Sequence, residues 1–89
     1  MISKTIFIQN RLGLHARSAS VFVRTASSFA SSVTVSNQHA KANGKSIMSM
    51  MLLQAALGTE IALEVEGEDE QEAINAIVTL VDNKFGEDD

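Results

Sequence analysis

Glycine, histidine and arginine come together in the segment Gly13-Leu14-His15-Ala16-Arg17, between a predicted strand and a predicted helix. His15 falls at or next to the start of that helix, where unsatisfied backbone N–H groups and about half a positive charge attract phosphate. The same charge disfavours an imidazolium ion, so we expect a neutral ring with one nitrogen free to act as a nucleophile. Arg17 can bind the oxygens of the anion, and Gly13 removes a side chain where another molecule approaches. These residues suit a histidine that accepts a phosphoryl group and passes it on.

The same segment also has a purely structural interpretation. A histidine near the start of a helix is commonly a surface or capping residue. Gly13 would then only form a turn, and Arg17 would be a solvated helix residue. Spacing alone leaves both interpretations open.

Ser46 follows the turn-forming pair Asn43-Gly44 and begins the second predicted helix. A serine in this place is by default an N-cap, whose hydroxyl accepts a hydrogen bond from the helix backbone. The sequence therefore predicts a capping serine at position 46.

The helix after Ser46 is apolar on nearly every side. A domain of this size cannot enclose a helix completely, so one side is expected to pack on the sheet and the other to form a docking patch. Its methionine side chains are flexible and adapt to several partners. Arg17, Arg24 and Lys45 would give the patch a basic rim that steers partners with acidic surroundings.

Alternating and helical apolar patterns predict the elements that must position these groups. Strands are expected at Ile2–Gln9, Ser32–Ser36, His39–Asn43 and Glu60–Glu66. Helices are expected at Ala16–Ala30, at Ser46–Ala56 with Gly58 as its cap, and from a capping box at Asp69 and Glu72 to Gly86. The order β-α-β-β-α-β-α predicts a single α+β domain over residues 1–89, with a small antiparallel sheet covered on one face by three helices.

Composition excludes several classes of protein. The 89 residues contain no cysteine and no proline, which excludes disulfide scaffolds, thiolate zinc sites, cysteine nucleophiles and Pro-rich segments. The longest apolar run, residues 50–53, is too short to span a bilayer, and no signal-peptide pattern opens the chain, so we expect a cytoplasmic protein. His39 has no metal-ligand spacing to His15 and is interpreted as an exposed polar residue.

Basic and acidic residues lie in different parts of the chain. Residues 1–59 contain six basic and no acidic residues, whereas residues 60–89 contain eleven acidic residues and one lysine. The basic segment could form a face for phosphate, nucleic acid or an acidic protein, or the two segments could neutralise each other on folding. A nucleic-acid binder is disfavoured, because the chain is acidic overall and lacks the tyrosine and tryptophan that stack on bases.

Residues 13–17, with Ala19 behind them, resemble the signature around the phosphorylated histidine of the HPr phosphocarriers of the phosphoenolpyruvate-dependent phosphotransferase system. The block Ala42-Asn43-Gly44-Lys45-Ser46-Ile47-Met48 resembles the regulatory-serine region of that family at the matching position. Gly67-Glu68-Asp69-Glu70, followed by an amphipathic helix, also matches. The resemblance covers essentially the whole chain, and residues 83–89 are most similar to the nitrogen-branch members, called NPr.

This resemblance implies an HPr-like open-faced sandwich that relays phosphate and is not itself an enzyme. Enzyme I would transfer a phosphoryl group to His15, Arg17 would help to hold it, and an enzyme IIA-type protein would receive it. The backbone of Gly13, Ala16 and Ser18 would surround the phosphate.

The resemblance also implies how the protein is regulated and where its partner proteins dock. Ser46 would be a substrate of HPr kinase/phosphorylase where the host has that enzyme. The start of the helix would favour the added phosphate dianion, which would repel acidic partners. We expect a monomer without cofactor, metal, nucleic acid or membrane insertion. The expected docking residues are Arg17, Ser20, Arg24, Lys45, Ile47, Met48 and Met51.

Ser18 departs from the family pattern, which has proline directly after the motif arginine. Serine restores a backbone N–H and loosens the first turn, at a cost expected to be under about 1 kcal/mol. The hydroxyls of Ser18 and Ser20 either tune the phosphate site or are exposed polar residues. The departure keeps an alternative function open, in which an HPr-like protein regulates partners by binding and no longer relays phosphate efficiently.

Overall fold

The order of strands and helices is the predicted one. The computed structural model describes residues 1–87. Along the chain it contains β1 (Ile2–Phe7), α1 (Ala16–Ser27), β2 (Ser32–Ser36), β3 (Lys41–Asn43), α2 (Ile47–Leu52), β4 (Glu60–Glu66) and α3 (Glu70–Asp82), followed by a 3₁₀ turn at Lys84–Gly86. The predicted α+β class and the order β-α-β-β-α-β-α are confirmed.

The strands form one antiparallel sheet in the order β1-β4-β2-β3. β4 lies between β1 and β2, with Ile61 opposite Ile6 on one side and Val65 opposite Val33 on the other. Along β4 buried residues alternate with more exposed ones, as expected of a sheet with one covered face. The sheet therefore has the predicted open-faced form.

Three helices supply the other half of the core. Phe22 of α1, Met50 of α2 and Ile77 of α3 are fully buried, as is Leu63 of the central strand. Burying aromatic and aliphatic side chains of this size stabilises the fold by about 1.5–3 kcal/mol each. Within residues 1–87 no helix has the length and apolar character needed to cross a membrane.

The second helix is shorter than predicted. The expected helix ran from Ser46 to Ala56 with Gly58 as its cap, but α2 ends at Leu52 and its C-cap is Leu53. Gln54 has a φ of 52°, a left-handed conformation that ends the helix four residues before the glycine. The residues after α2 are consequently free to run beside the histidine segment.

The predicted capping box at Asp69 and Glu72 is wrong. Asp69 does occupy the N-cap position of α3, but its side chain makes no capping hydrogen bond. Its carboxylate instead accepts hydrogen bonds from the backbone N–H groups of Ala30 and Ser31 and from the Ser31 hydroxyl. These contacts turn residues 30 and 31 away from the helical path, which explains why α1 ends at Ser27 and not at Ala30.

Other boundaries differ by a few residues. β1 ends at Phe7 and not at Gln9, although the backbone of Ile8 still pairs with Gly58 and Thr59. β3 omits His39 and Ala40, because the side-chain oxygen of Asn37 accepts hydrogen bonds from both backbone N–H groups and holds them in a turn. The final helix was expected to end at Gly86, but α3 ends at Asp82.

Candidate functional site

His15 is the N-cap of α1, with extended backbone angles of φ −129° and ψ −177°. Its ring Nδ1 accepts a hydrogen bond from the backbone N–H of Arg17 at 3.3 Å, and its Nε2 lies 2.8 Å from Oε2 of Glu87. An N–H donor at Nδ1 requires a lone pair there, whereas a carboxylate at Nε2 requires a proton there. The neutral ring protonated on Nε2 satisfies both contacts, so the nucleophilic lone pair is assigned to Nδ1.

Ser18 is fully buried, which excludes the interpretation of this residue as exposed polar surface. Its hydroxyl accepts a hydrogen bond from the backbone N–H of His15 at 2.9 Å and donates to the carbonyl of Gly13 at 2.9 Å. Ser18 is the third residue of α1, so its bond to the N-cap backbone is one half of a capping box. The residue that departs from the family pattern thus fixes the backbone that leads into His15.

Gly13 has a φ of 69°, and its carbonyl and N–H groups are both hydrogen-bonded within the loop. A Cβ atom here would collide with the carbonyl oxygen of Ala55 and would lie 2.8 Å from Cα of Ala56. The expectation that glycine makes room for another molecule is therefore corrected, because the protein's own backbone fills that space. The neighbouring Leu14 N–H donates to the Ala55 carbonyl at 2.8 Å, which fastens the histidine loop to the segment after α2.

Glu87 joins the histidine to Asn10. One carboxylate oxygen faces His15, and the other accepts a hydrogen bond from Nδ2 of Asn10 at 2.9 Å. Burial raises the pKa of the Glu87 carboxyl, but the hydrogen bonds from Asn10 and His15 and the positive charge of Arg17 outweigh it and lower that pKa overall. Glu87 is thus ionised at neutral pH beside the ring.

The remaining residues predicted at the histidine lie on α1. Ala16 and Arg17 form its exposed first turn, next to the ring, and Ser20 is half-buried one turn further on. Arg24 is exposed in the last turn of the helix. Arg17 therefore has the freedom to move toward an anion bound at the start of α1.

Four large apolar side chains of α2 are exposed. The solvent-exposed fractions are 40% for Ile47, 79% for Met48, 41% for Met51 and 74% for Leu52. Met50 on the opposite side is completely buried. The predicted division of α2 into a packed side and an exposed apolar side is confirmed.

Lys45 and Ser46 both make structural contacts. The Lys45 ammonium group donates a hydrogen bond to the carbonyl of Phe29 at 2.8 Å, so its charge lies near the end of α1. The Ser46 hydroxyl accepts from the backbone N–H of Ser49 at 3.3 Å, which confirms the predicted N-cap of α2. Ser46 is only half-buried.

The other histidine lies elsewhere. His39 is exposed in the turn between β2 and β3, as predicted. Across residues 1–87 no group of three or more histidine, aspartate or glutamate side chains is arranged to hold a metal ion.

Asn10 and Glu87 belong to the site but were not predicted from the sequence. Asn10 is fully buried, and it continues the inward-facing alternation of Ile6 and Ile8, so a polar residue at an apolar position was the available signal. Glu87 has no local signal, because it contacts a residue 72 positions away in the sequence.

Comparison with known proteins gives consistent matches. The family model described as the PTS HPr component phosphorylation site matches residues 2–83. A phosphocarrier protein HPr from Neisseria meningitidis serogroup A is 49% identical over 87 residues, covering 98% of both chains.

Solved structures give the same result. An HPr structure from Thermoanaerobacter tengcongensis, described as HPr-C-His, has a TM-score of 0.94 and 49% identity, with 99% of both chains covered. A structure described as an HPr dimer from the same organism has a TM-score of 0.78 and 49% identity, covering 98% of this chain and 100% of that one.

Proposed function

This chain belongs to the HPr family of phosphocarriers of the phosphotransferase system, and we propose that it carries the phosphoryl group on Nδ1 of His15. The observation that supports this assignment is the pair of contacts on the ring. Glu87 contacts Nε2, whereas Nδ1 faces the backbone N–H of Arg17 at the start of α1. The nucleophilic atom thus lies at a helix N-terminus, whose free N–H groups bind phosphate oxygens.

The transfer step needs no metal. The Nδ1 lone pair attacks the phosphorus atom of the phosphorylated donor, the bond from phosphorus to the donor breaks, and its electron pair stays with the donor. The backbone N–H of Arg17, which bonds to Nδ1 in the free protein, becomes available to a phosphoryl oxygen. Arg17 adds a mobile positive charge to the same oxygens. Alignment and charge stabilisation are what phosphoryl transfer chiefly requires.

Enzyme I is the donor and an enzyme IIA-type protein the acceptor in this proposal, as family membership implies. Docking is assigned to the surface formed by exposed residues of α1 and the exposed side of α2. Exposed Met48 and half-exposed Met51 supply an apolar centre, and Arg17 and Arg24 supply positive charge. Apolar centres with polar rims are typical of protein interfaces.

The burial of Ser18 favours a working relay over a regulatory protein that has lost phosphate transfer. Proline would fix the first turn through its ring, whereas Ser18 fixes it through hydrogen bonds to His15 and Gly13. The substitution therefore retains an ordered histidine loop.

Finer assignments extend this proposal. Ser46 is half-buried at the start of α2 and is assigned as a regulatory site for HPr kinase/phosphorylase. The protein is assigned to the cytoplasm as a monomer. The NPr-type branch rests on residues 83–89, of which Asp88 and Asp89 lie outside the described residues.

Phosphorylation with purified enzyme I and phosphoenolpyruvate tests the proposal. We expect mass spectrometry to show one acid-labile phosphoryl group on the wild-type protein and on His39→Ala, and none on His15→Ala. Running the reaction with enzyme I of the sugar branch and of the nitrogen branch decides the branch by the faster rate. A wild-type protein that remains unlabelled by both enzymes contradicts the relay, as does labelled His15→Ala.

A further inference from the structure

Glu87 has contacts that go beyond those of a surface carboxylate. Its side chain is 11% exposed, and its two oxygens bind different partners, Nε2 of His15 at 2.8 Å and Nδ2 of Asn10 at 2.9 Å. The carboxylate thus connects the histidine ring to Asn10, which is buried in the segment that follows β1. Such a bridge restricts the rotation of the ring as well as its protonation.

The orientation of Asn10 follows from its neighbours. Its amide nitrogen donates to the carbonyl of Gly13 at 2.8 Å and to Glu87, and both of these groups are acceptors. Only the NH₂ group can satisfy two acceptors, so the amide is fixed in this orientation. Because Asn10 is fully buried, it provides a rigid support for the Glu87 carboxylate.

A sharp bend at Lys84 and Phe85 places Glu87 beside His15. Lys84 and Phe85 have φ angles of 58° and 57°, a left-handed conformation that is unfavourable for non-glycine residues. Such strain persists only where the surroundings enforce it. Here the Phe85 side chain is buried in the core with 6% exposure, and the Glu87 carboxylate holds the other side of the bend.

We propose that Glu87 is a positioning residue for phosphoryl transfer, which holds His15 in the Nε2-protonated tautomer so that Nδ1 keeps its lone pair toward the start of α1. This inference rests on the proposed function and deepens it. When Nδ1 bonds to phosphorus, the ring gains positive charge and keeps its proton on Nε2, and the Glu87 carboxylate stabilises that charge. In the onward step the same proton remains on Nε2, and the Nδ1–phosphorus electron pair returns to Nδ1.

The substitution Glu87→Gln removes the negative charge and changes the hydrogen-bonding groups while it keeps the size of the side chain. Asn10 and His15 contact different oxygens of the Glu87 carboxylate, whereas a glutamine amide has an oxygen on one side only, so it cannot accept a hydrogen bond at both positions. If that oxygen stays on Asn10, the NH₂ group faces Nε2 and favours a lone pair there. We therefore expect ¹⁵N NMR of histidine-labelled Glu87→Gln to show a larger fraction of His15 with the proton on Nδ1, measured without phosphorylation.

Kinetics provide the second readout. We expect kcat/KM for phosphoryl acceptance from enzyme I to fall about tenfold in Glu87→Gln, as for other residues that orient a reactive group. Glu68→Gln is the matched control, since it removes one negative charge from an exposed glutamate. It should keep the wild-type tautomer and a rate within about twofold of the wild type.

The two readouts distinguish failure of this inference from failure of the proposed function. An unchanged tautomer in Glu87→Gln overturns the positioning role, even if the rate falls, because Glu87 would then act through its charge alone. A changed tautomer with an unchanged rate also overturns it. Failure of the wild-type protein to accept phosphate under any condition removes the relay itself, and the role of Glu87 in that relay falls with it.

Discussion

Ser18 shows how a hydroxyl group can replace the conformational restriction of a proline ring. Its oxygen accepts from the His15 N–H and donates to the Gly13 carbonyl, both at 2.9 Å. The two bonds fix the backbone that leads from Gly13 into His15. Ser18 thus determines where the backbone of His15 lies at the start of α1, and with it the point from which the ring extends.

Replacing Ser18 with alanine is expected to lower the free energy of unfolding by about 1–2 kcal/mol, because the His15 N–H loses its acceptor. Urea denaturation measures the loss. Ser20→Ala on the same helix provides the control and should change stability by no more than about 0.5 kcal/mol. Equal effects of the two substitutions would show that the Ser18 hydroxyl has no special role.

Gly13 and Gly58 allow a matched test of close packing. Both have positive φ angles, 69° and 84°, but only Gly13 would press a Cβ against the backbone of Ala55 and Ala56. We expect Gly58→Ala to cost about 1–2 kcal/mol for its backbone conformation alone. Gly13→Ala should cost at least about 1 kcal/mol more, because the segment after α2 must move. Equal losses in thermal or urea unfolding would argue against close contact at Gly13.

Within α2 the two sides of the helix differ in burial. Buried Met50 fastens the helix to the core, whereas Met48, with 79% of its surface exposed, contributes nothing comparable to folding. The short length of α2 brings its exposed apolar side chains close together in sequence. This arrangement favours a docking surface whose residues can be altered without unfolding the protein.

Met48→Asp is expected to raise KM for phosphorylation by enzyme I about tenfold, because it places a charge in the apolar centre of the proposed interface. Stability should change by less than about 0.5 kcal/mol, given the exposure of the side chain. Asn75→Asp adds the same charge on an exposed position of α3 and should leave KM unchanged. Identical kinetics of the two variants would contradict docking through α2.

Asp69 connects two elements that are distant in sequence. Its carboxylate, at the start of α3, accepts three hydrogen bonds from Ala30 and Ser31 in the turn between α1 and β2. The Ser31 hydroxyl is the largest cause that lowers the pKa of Asp69 below its ordinary value of 3.8, and the bond from the Ala30 backbone is the next. The ionised carboxylate thus stabilises the folded state.

This linkage predicts a pH dependence. Since the folded-state pKa is lowered, the contribution of Asp69 is complete above the unfolded pKa and is lost as the pH falls through the folded pKa. Stability of the wild-type protein should therefore decline in acid below about pH 4, with a shallower decline in Asp69→Asn. Urea midpoints between pH 2 and 7 measure both, with Glu68→Gln as the control. A variant with the wild-type slope would show that Asp69 is not the group responsible.

At the scale of the whole molecule, the sequence predicts local features better than contacts between distant segments. The alternation of β4 and the N-caps His15 and Ser46 follow from neighbouring residues, and the structure confirms them. The role of Asp69 was wrong, because its local spacing to Glu72 suggested a cap whereas its actual partners lie 38 and 39 residues away. Glu87 was missed for the same physical reason.

The basic and acidic segments of the chain come into contact in the folded protein. The basic segment contains His15, Arg17 and Ser46, but the acidic segment returns one carboxylate, Glu87, to the histidine. The two segments therefore meet at the reactive ring. The site is completed only when the chain after α3 has folded back onto the segment after β1.

NMR of ¹⁵N-histidine protein phosphorylated by enzyme I tests most directly whether Nδ1 of His15 carries the phosphoryl group, as proposed. We expect ³¹P–¹⁵N coupling on Nδ1 of His15, with the proton remaining on Nε2 beside Glu87. Coupling on Nε2, or no phosphoryl signal on His15, would contradict it.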